Sequence, residues 1–165
     1  MELNPYASYL NGQDPIPVLK ATADRIHNLT ANLSAEQINT SPAPRKWSIR
    51  EIVSHLADCE IVFAFRLRQT LAPSLSEPHT IIQPFDQDAW ATRYAAYQFQ
   101  PALALFRATR NWNLLFLNTV SYEDRRRPTT HPERGTMTFW TIVETMGGHD
   151  INHLGQIERL ATTQK

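Results

Sequence analysis

The fold of this chain is decided by the stretch WSIREIVSHLADCEIVFAFRLRQTL, residues 47–71. Ser48 and Glu51 have the spacing of a capping box, in which each side chain accepts a hydrogen bond from the other residue's backbone amide. Behind this start, apolar residues recur every three or four positions, as in an amphipathic helix. They are Ile52, Leu56, Cys59, Phe63 and Leu67. The stretch therefore predicts a long helix that ends near Leu71.

Similar periodic segments on both sides predict three more long helices, over about residues 14–32, 101–120 and 138–161. The chain has only five glycines, and its prolines are concentrated between the periodic segments, which favours long helices over short strands. We expect a short helix within the long connection before the third helix, and a loop with His131 between Pro128 and Gly135. The predicted fold class is all-α, with one domain whose core spans about residues 15–160.

The composition excludes several classes of protein. A length of 165 residues with 42% hydrophobic content suits one domain with a real core. Sixteen basic and sixteen acidic residues cancel, so no overall field attracts nucleic acid or an anionic membrane. A single cysteine excludes an internal disulfide, and no apolar stretch approaches the roughly 20 residues of a membrane span. The N-terminus has no basic segment followed by an apolar one. We therefore expect a cytoplasmic protein with a small-molecule or protein partner.

Two histidines interrupt the apolar stripe of the fourth predicted helix. His149 and His153 stand one turn apart, where residues share a face about 6 Å from each other. One interpretation is that both are core histidines bonded to nearby carbonyls. Burying an imidazole without a partner costs about 1 to 3 kcal/mol, however, and two at one level need a common explanation. A metal ion bound by both supplies one.

His55 is the candidate for a third ligand, because it lies on the flank of the apolar stripe of the second helix. Cys59, one turn later, is more typical of a small core residue than of a thiolate ligand. Gly147 and Gly148 each cost about 1 kcal/mol relative to alanine inside a helix. Their presence before His149 indicates that a ligand or a facing helix approaches closely. A tolerated bend or a packing contact explains them equally well.

Several ordered segments resemble the DinB-like superfamily, and most of all its branch of bacillithiol-transferase-like metal-dependent proteins. The resemblance covers about residues 15–160. It rests on residues 47–60, Arg66, residues 84–91, His131 with Pro132, and residues 149–157. The resemblance implies a single four-helix bundle with up-down-down-up connectivity, commonly a homodimer. It also implies a divalent metal ion bound by His55, His149 and His153.

The ligand set bears on the chemistry. Three neutral imidazoles leave coordination positions open, as in a catalytic site, and they suit zinc, nickel or iron without choosing among them. A bound thiol would be held as its thiolate, whereas a bound water would ionise near neutral pH and attack a substrate. The resemblance implies transfer of a low-molecular-weight thiol to small electrophiles. A metal-dependent hydrolase and a non-catalytic, stress-related metal-binding protein are the alternatives.

Four further residues are candidates for supporting roles. Asp58 and Asp150 could orient the imidazoles by hydrogen bonds, or they could be solvated carboxylates. Arg66 could bind a substrate carboxylate, or it could form a salt bridge within the bundle. Gln156 stands where members of the branch often have a further histidine, and it could contact the substrate.

Overall fold

A computed structural model describes residues 3–72 and 80–163 of the chain. The helices within these residues are α1 (Ala7–Leu10), α2 (Pro15–Thr30), α3 (Ala35–Asn39), α4 (Ile49–Leu71), α5 (Gln87–Ala91), α6 (Phe99–Leu117), α7 (Tyr122–Arg125) and α8 (Phe139–Thr163). A single 3-10 turn covers Tyr94–Ala96, between α5 and α6. The strands are β1 (Thr80–Ile81), β2 (Pro128–His131) and β3 (Gly135–Thr138). Among the described residues, no helix has the length and apolar character needed to cross a membrane.

The long helices α2, α4, α6 and α8 begin and end within one turn of the predicted positions. The capping box of α4 is present: the Glu51 amide donates to the Ser48 hydroxyl at 3.3 Å, and the Ser48 amide donates to the Glu51 carboxylate at 2.8 Å. The side chain of Asp14 caps α2 by accepting from the Ile16 amide at 3.0 Å. Local capping thus sets where both helices start.

The four long helices form a bundle in which α4 packs on α6 and α8, and α2 packs on the same two helices. Two apolar clusters fill the interior, one towards each end. Along α4 and α6, the residues of the first cluster precede those of the second, whereas α2 and α8 meet the clusters in the opposite order. The direction is therefore up, down, down, up, as expected.

A layer of buried polar side chains separates the two apolar clusters. It contains Thr22, His55, Glu60, Arg110, Asn113, His149, Asp150 and His153, each at most 5% exposed. Every long helix of the bundle contributes to this layer, and buried polar groups at one level need partners from one another. The layer positions the candidate site at the middle of the bundle.

A small sheet replaces the loop that was expected between Pro128 and Gly135. Strand β2 pairs antiparallel with β3, from Pro128 opposite Thr138 to His131 opposite Gly135, and β1 pairs parallel with β2. Gly135 has a φ of +94°, a conformation that glycine adopts without strain. His131 therefore lies at the end of a strand rather than in a loop, and its side chain is buried.

Candidate metal centre

Three imidazoles from two helices converge at the middle of the bundle. Nε2 of His149 lies 3.0 Å from Nε2 of His55 and 3.1 Å from Nε2 of His153. His149 and His153 are one turn apart on α8, and His55 reaches them from the antiparallel α4. All three side chains are at least 95% buried. The structure thus brings together the three histidines that the sequence singled out.

Hydrogen bonding within the cluster does not satisfy these nitrogens. A neutral imidazole nitrogen offers one N–H or one lone pair, so Nε2 of His149 can form one well-aligned bond but not two. Burial and the charge of His153 lower the pKa of His55 to about 3. Burial, followed by the charges of His153, His55 and Arg110, lowers the pKa of His149 well below its usual value. Neutral nitrogens this close fit a shared divalent cation, for which zinc, nickel and iron are suited.

Gln156 determines which nitrogen of His153 faces the cluster. Its side-chain oxygen lies 2.9 Å from Nδ1 of His153, so Nδ1 donates the hydrogen bond. The neutral ring then has its lone pair on Nε2, the atom beside His149. Gln156 therefore contacts a histidine of the cluster directly.

Cys59 also lies at the cluster, although sequence reasoning favoured a packing role for it. Its Sγ is 3.4 Å from Nε2 of His55, and the ligand atoms of His55, Cys59 and His149 all lie within 4.8 Å of one another. Burial, with the nearby charge of Asp58, raises the pKa of the thiol. The sequence feature that could have predicted this contact is the position of Cys59, one turn after His55 and on the face towards α8.

Aromatic rings enclose the cluster. The ring of Trp47 lies 4.8 Å from that of His55, and the ring of Tyr6 meets His149 edge-on at 5.0 Å. The backbone of Tyr6 lies against Gly148 so closely that an added Cβ would overlap with the Tyr6 carbonyl oxygen. At Gly147, an added Cβ would lie 2.9 Å from Cβ of Pro15. The two glycines thus leave room for Tyr6 and for Pro15, at the start of α2, and not for a ligand.

A cavity of about 480 Å³ lies next to the cluster. Two of its lining residues, Trp47 and Gln156, contact the histidines directly. Arg45, Lys46 and Arg159 also line it. Its volume is in the range of pockets that hold small molecules.

Asp150 belongs to a buried ion network and not to the imidazole cluster. Its carboxylate accepts from Arg110 at 2.6 and 3.1 Å and from the Thr22 hydroxyl at 2.7 Å. Arg110 also donates to Glu60 at 2.7 and 3.0 Å, and the Asn113 amide donates to Glu60 at 2.7 Å. Two buried carboxylates therefore share one guanidinium. Sequence reasoning did not identify Arg110, because nothing in the pattern of α6 indicates which helix it faces.

Asp58 and Arg66 both lie on α4 and line different cavities. Asp58 is half-buried and lines a cavity between α4 and α6, with Tyr97 and Leu105. Arg66 is 8% exposed and donates from Nη2 to the Gln83 carbonyl at 2.7 Å. No salt bridge to Arg66 occurs within the described part of the chain. The alternative of an ion pair within the bundle is therefore not observed for Arg66.

Comparisons with known proteins point to one family. The sequence model of the DinB superfamily matches residues 19–157. A protein of Oceanobacillus iheyensis named "Putative metal-dependent hydrolase" is 27% identical over 136 residues, which cover 82% of this chain and 77% of that protein. YfiT of Bacillus subtilis, with the same description in its name, is 24% identical over 151 residues, or 88% and 82% of the two chains.

The solved structure of YfiT has the same fold. It superimposes with a TM-score of 0.80 at 22% sequence identity, covering 91% of this chain and 85% of that chain. It is described as having an unusual four-helix bundle topology.

Proposed function

The chain belongs to the DinB superfamily, and on that basis we propose that it is a metal-dependent enzyme that transfers a low-molecular-weight thiol to small electrophiles. In this proposal His55, His149 and His153 hold one divalent ion through their Nε2 atoms. The observation that supports it most strongly is the pair of Nε2 contacts at 3.0 and 3.1 Å around His149. A divalent ion held there would act as a Lewis acid and lower the pKa of a thiol or water that binds it.

The chain's own residues prepare this site for a thiol. Gln156 holds His153 in the tautomer whose Nε2 is free to bind a metal. Tyr6, Trp47 and Phe63 surround the imidazoles with aromatic rings, which exclude water and suit a soft sulfur atom. In this proposal the electrophile enters through the cavity beside Trp47 and Gln156. The thiol loses its proton to the solvent, and its sulfur forms a bond to the electrophilic carbon. The bond between that carbon and the leaving group breaks, and its electron pair departs with the leaving group.

Hydrolysis is the second candidate, and the names of the relatives from Oceanobacillus iheyensis and Bacillus subtilis favour it. Many metal hydrolases place a free carboxylate beside the metal as a general base. Here the buried carboxylates nearest the cluster are bound to Arg110, and Asp58 lies on the α6 side of α4. The pKa of a free thiol, about 8.5, is already far below that of water, about 15.7, so a metal-bound thiol becomes a thiolate without such a base. For this reason we prefer thiol transfer.

Two measurements on the purified protein test the proposal. Elemental analysis should find about one divalent ion per chain, and His149→Ala and His153→Ala should each remove most of it. His27→Ala, which changes an exposed histidine on α2, is the matched control and should retain the metal. Metal content below a tenth of an equivalent in the unaltered protein would contradict both enzyme proposals.

The second measurement follows the loss of a thiol in the presence of monochlorobimane. We expect metal-dependent turnover with at least one of bacillithiol, glutathione and mycothiol, abolished by His153→Ala and retained by His27→Ala. An inactive thiol panel together with metal-dependent ester or amide cleavage would favour the hydrolase. If the metal-loaded protein is inactive in both the thiol assay and the cleavage assay, a non-catalytic metal-binding role would be favoured.

A further inference from the structure

Three basic side chains from different elements surround one small cavity beyond Cys59. Arg66 comes from α4, His131 ends β2, and Arg134 lies in the turn between β2 and β3. Phe63 and Thr145 complete the side that faces the metal centre. The cavity has a volume of about 10 Å³, enough for one group the size of a water oxygen.

Within residues 3–72 and 80–163, the positive charge around this cavity has no counterion. Arg66 is 8% exposed, and its Nε is buried without a hydrogen-bond partner. No carboxylate lies within salt-bridge distance of Arg66 or Arg134 in the described residues. A buried, unpaired guanidinium is costly, and such groups are normally paired with an anion. The geometry thus leaves an N–H of Arg66 available for an anionic ligand.

His131 adds a neutral donor to the same cavity. Its Nδ1 accepts a hydrogen bond from the Glu133 amide at 3.2 Å, so the proton of the neutral ring lies on Nε2. Burial, followed by the charges of Arg134 and Arg66, lowers the pKa of His131 and keeps the ring neutral. Three of the residues that line the cavity therefore carry N–H donors.

The cavity lies at a short distance from the candidate metal centre. Arg66 follows Cys59 by seven residues on α4, about 10 Å along the helix axis. On α8, Thr145 precedes His149 by one turn, and the ring of Phe63 lies 6.0 Å from the ring of His149. The cavity and the candidate metal centre therefore lie about two helical turns apart along α4.

We propose that Arg66, Arg134 and His131 form a subsite for the carboxylate group of the thiol substrate. This inference rests on the proposed function, because it assigns the other end of the same substrate to the metal centre. The small cavity favours one oxygen of a flat carboxylate over a tetrahedral phosphate. A hydrogen bond from a guanidinium to a carboxylate oxygen is charge-assisted and stronger than one to a neutral group, which gives the subsite its selectivity.

A purely structural role for Arg66 explains part of the geometry. Its Nη2 caps the Gln83 carbonyl, and its guanidinium lies 6.0 Å from the ring of Phe85. That role leaves the unpaired Nε unexplained, and it does not require Arg134 or His131 beside it. The test must therefore separate carboxylate binding from folding.

Calorimetric titration of the metal-loaded protein with 6-mercaptohexanoate and 6-mercaptohexanol provides this test, because the two thiols differ in the terminal group alone. We expect the carboxylate to bind about tenfold more tightly, the effect of a charge-assisted hydrogen bond. Arg66→Gln and Arg134→Gln should each bring the two affinities within about twofold of each other. Arg66→Lys keeps the charge and should retain part of the preference.

Arg126→Gln is the matched control, since it removes the charge of an exposed arginine outside the cavity and should leave the preference unchanged. Arg134→Gln guards against a folding defect, because it leaves the contact of Arg66 with Gln83 intact. Equal affinities for both thiols in the unaltered protein would overturn the subsite and leave thiol transfer standing.

A second titration separates failure of the subsite from failure of the proposed function. If neither thiol binds, the proposed function fails, and hexanoate with hexanol then tests the subsite without sulfur. The subsite would be supported if hexanoate raised the melting temperature and hexanol did not, and if this rise were lost in Arg66→Gln and in Arg134→Gln. No such rise in the unaltered protein would overturn it.

Discussion

The side-chain oxygen of Gln156 accepts a hydrogen bond from Nδ1 of His153 across 2.9 Å, one turn along the same helix. This bond places the lone pair of the neutral ring on Nε2, which lies 3.1 Å from Nε2 of His149. When one nitrogen of a histidine binds a metal, the hydrogen-bond partner of the other nitrogen fixes the tautomer and the ring orientation. Gln156 is thus a group that orients His153 from the next turn of α8.

Gln156→Leu should therefore weaken metal binding without removing any proposed ligand. We expect the affinity to fall by roughly 10- to 100-fold, because the substitution deletes the acceptor and keeps a side chain of similar size. Competition with a chromophoric chelator measures the affinity. Gln156→Glu retains an acceptor oxygen and is the control. An unchanged affinity in Gln156→Leu would show that the hydrogen bond does not orient His153 for metal binding.

Removal of the metal should destabilise the bundle, because the three imidazoles come from α4 and α8 and meet only when the helices are packed. A ligand at 100 times its dissociation constant stabilises a folded protein by about 2.7 kcal/mol. We expect chelation to lower the melting temperature by several degrees, measured by circular dichroism. The melting temperature of His149→Ala should not respond to the chelator. An equal response in both proteins would contradict a metal site at His149.

Cys59→Ala tests whether the thiol is a ligand. With three imidazoles as the proposed ligands, the variant should still bind about one metal ion per chain. Cobalt substitution gives a second measurement, since a cysteine ligand produces a sulfur-to-metal charge-transfer band. We expect no such band in the cobalt-loaded unaltered protein when no thiol has been added. Loss of metal in Cys59→Ala would indicate that Cys59 binds the ion together with His55 and His149.

The features that could be predicted from the sequence are local. The capping box at Ser48 and the apolar period behind it place α4, and the interruption of the α8 stripe identifies His149 and His153. The family and the four-helix bundle expected from these segments are confirmed. Each of these features depends on spacing within one helix, which the sequence displays directly.

The features that escaped prediction depend on how distant segments meet. Arg110 joins Glu60 to Asp150 across three helices, and the relative register of those helices is not visible in any one of them. Similarly, Pro128 and Gly135 were interpreted as the limits of a loop, although both begin strands. Proline and glycine mark hairpins as well as loops, so pairing partners decide between the two.

The buried network around Arg110 should matter far more to stability than a similar pair on the surface. Asp150→Asn removes one of two carboxylates from a guanidinium that is 2% exposed, and we expect a loss on the order of 3 kcal/mol. Asp24→Asn breaks an exposed contact with Arg107 at 2.6 Å and should cost less than about 1 kcal/mol. Urea unfolding of chelator-treated proteins measures both without a contribution from the metal. Equal losses would contradict a structural role for the network.

Gly148 and Gly155 both lie within α8, and replacing each by alanine should change stability in opposite directions. At Gly155 the one neighbour within 4 Å of an added Cβ, among the residues that the structure describes, would be Nη1 of Arg159, at an ordinary 3.5 Å. Gly155→Ala should therefore stabilise the protein by up to about 1 kcal/mol, the difference in helix propensity. At Gly148 the added Cβ would lie 2.8 Å from Cβ of Tyr6 and would overlap with its carbonyl oxygen.

Backbone cannot yield as a flexible side chain can, so Gly148→Ala should destabilise the protein by roughly 1 to 3 kcal/mol. Relief of the overlap would also move the Tyr6 ring away from His149, which it now meets at 5.0 Å. Urea unfolding measures the stability, and metal affinity reports the loss of the aromatic cover. A stabilised Gly148→Ala protein would show that the N-terminal segment does not pack against the glycines. Because Gly155→Ala makes the same chemical change two residues after His153, it separates this contact from helix propensity.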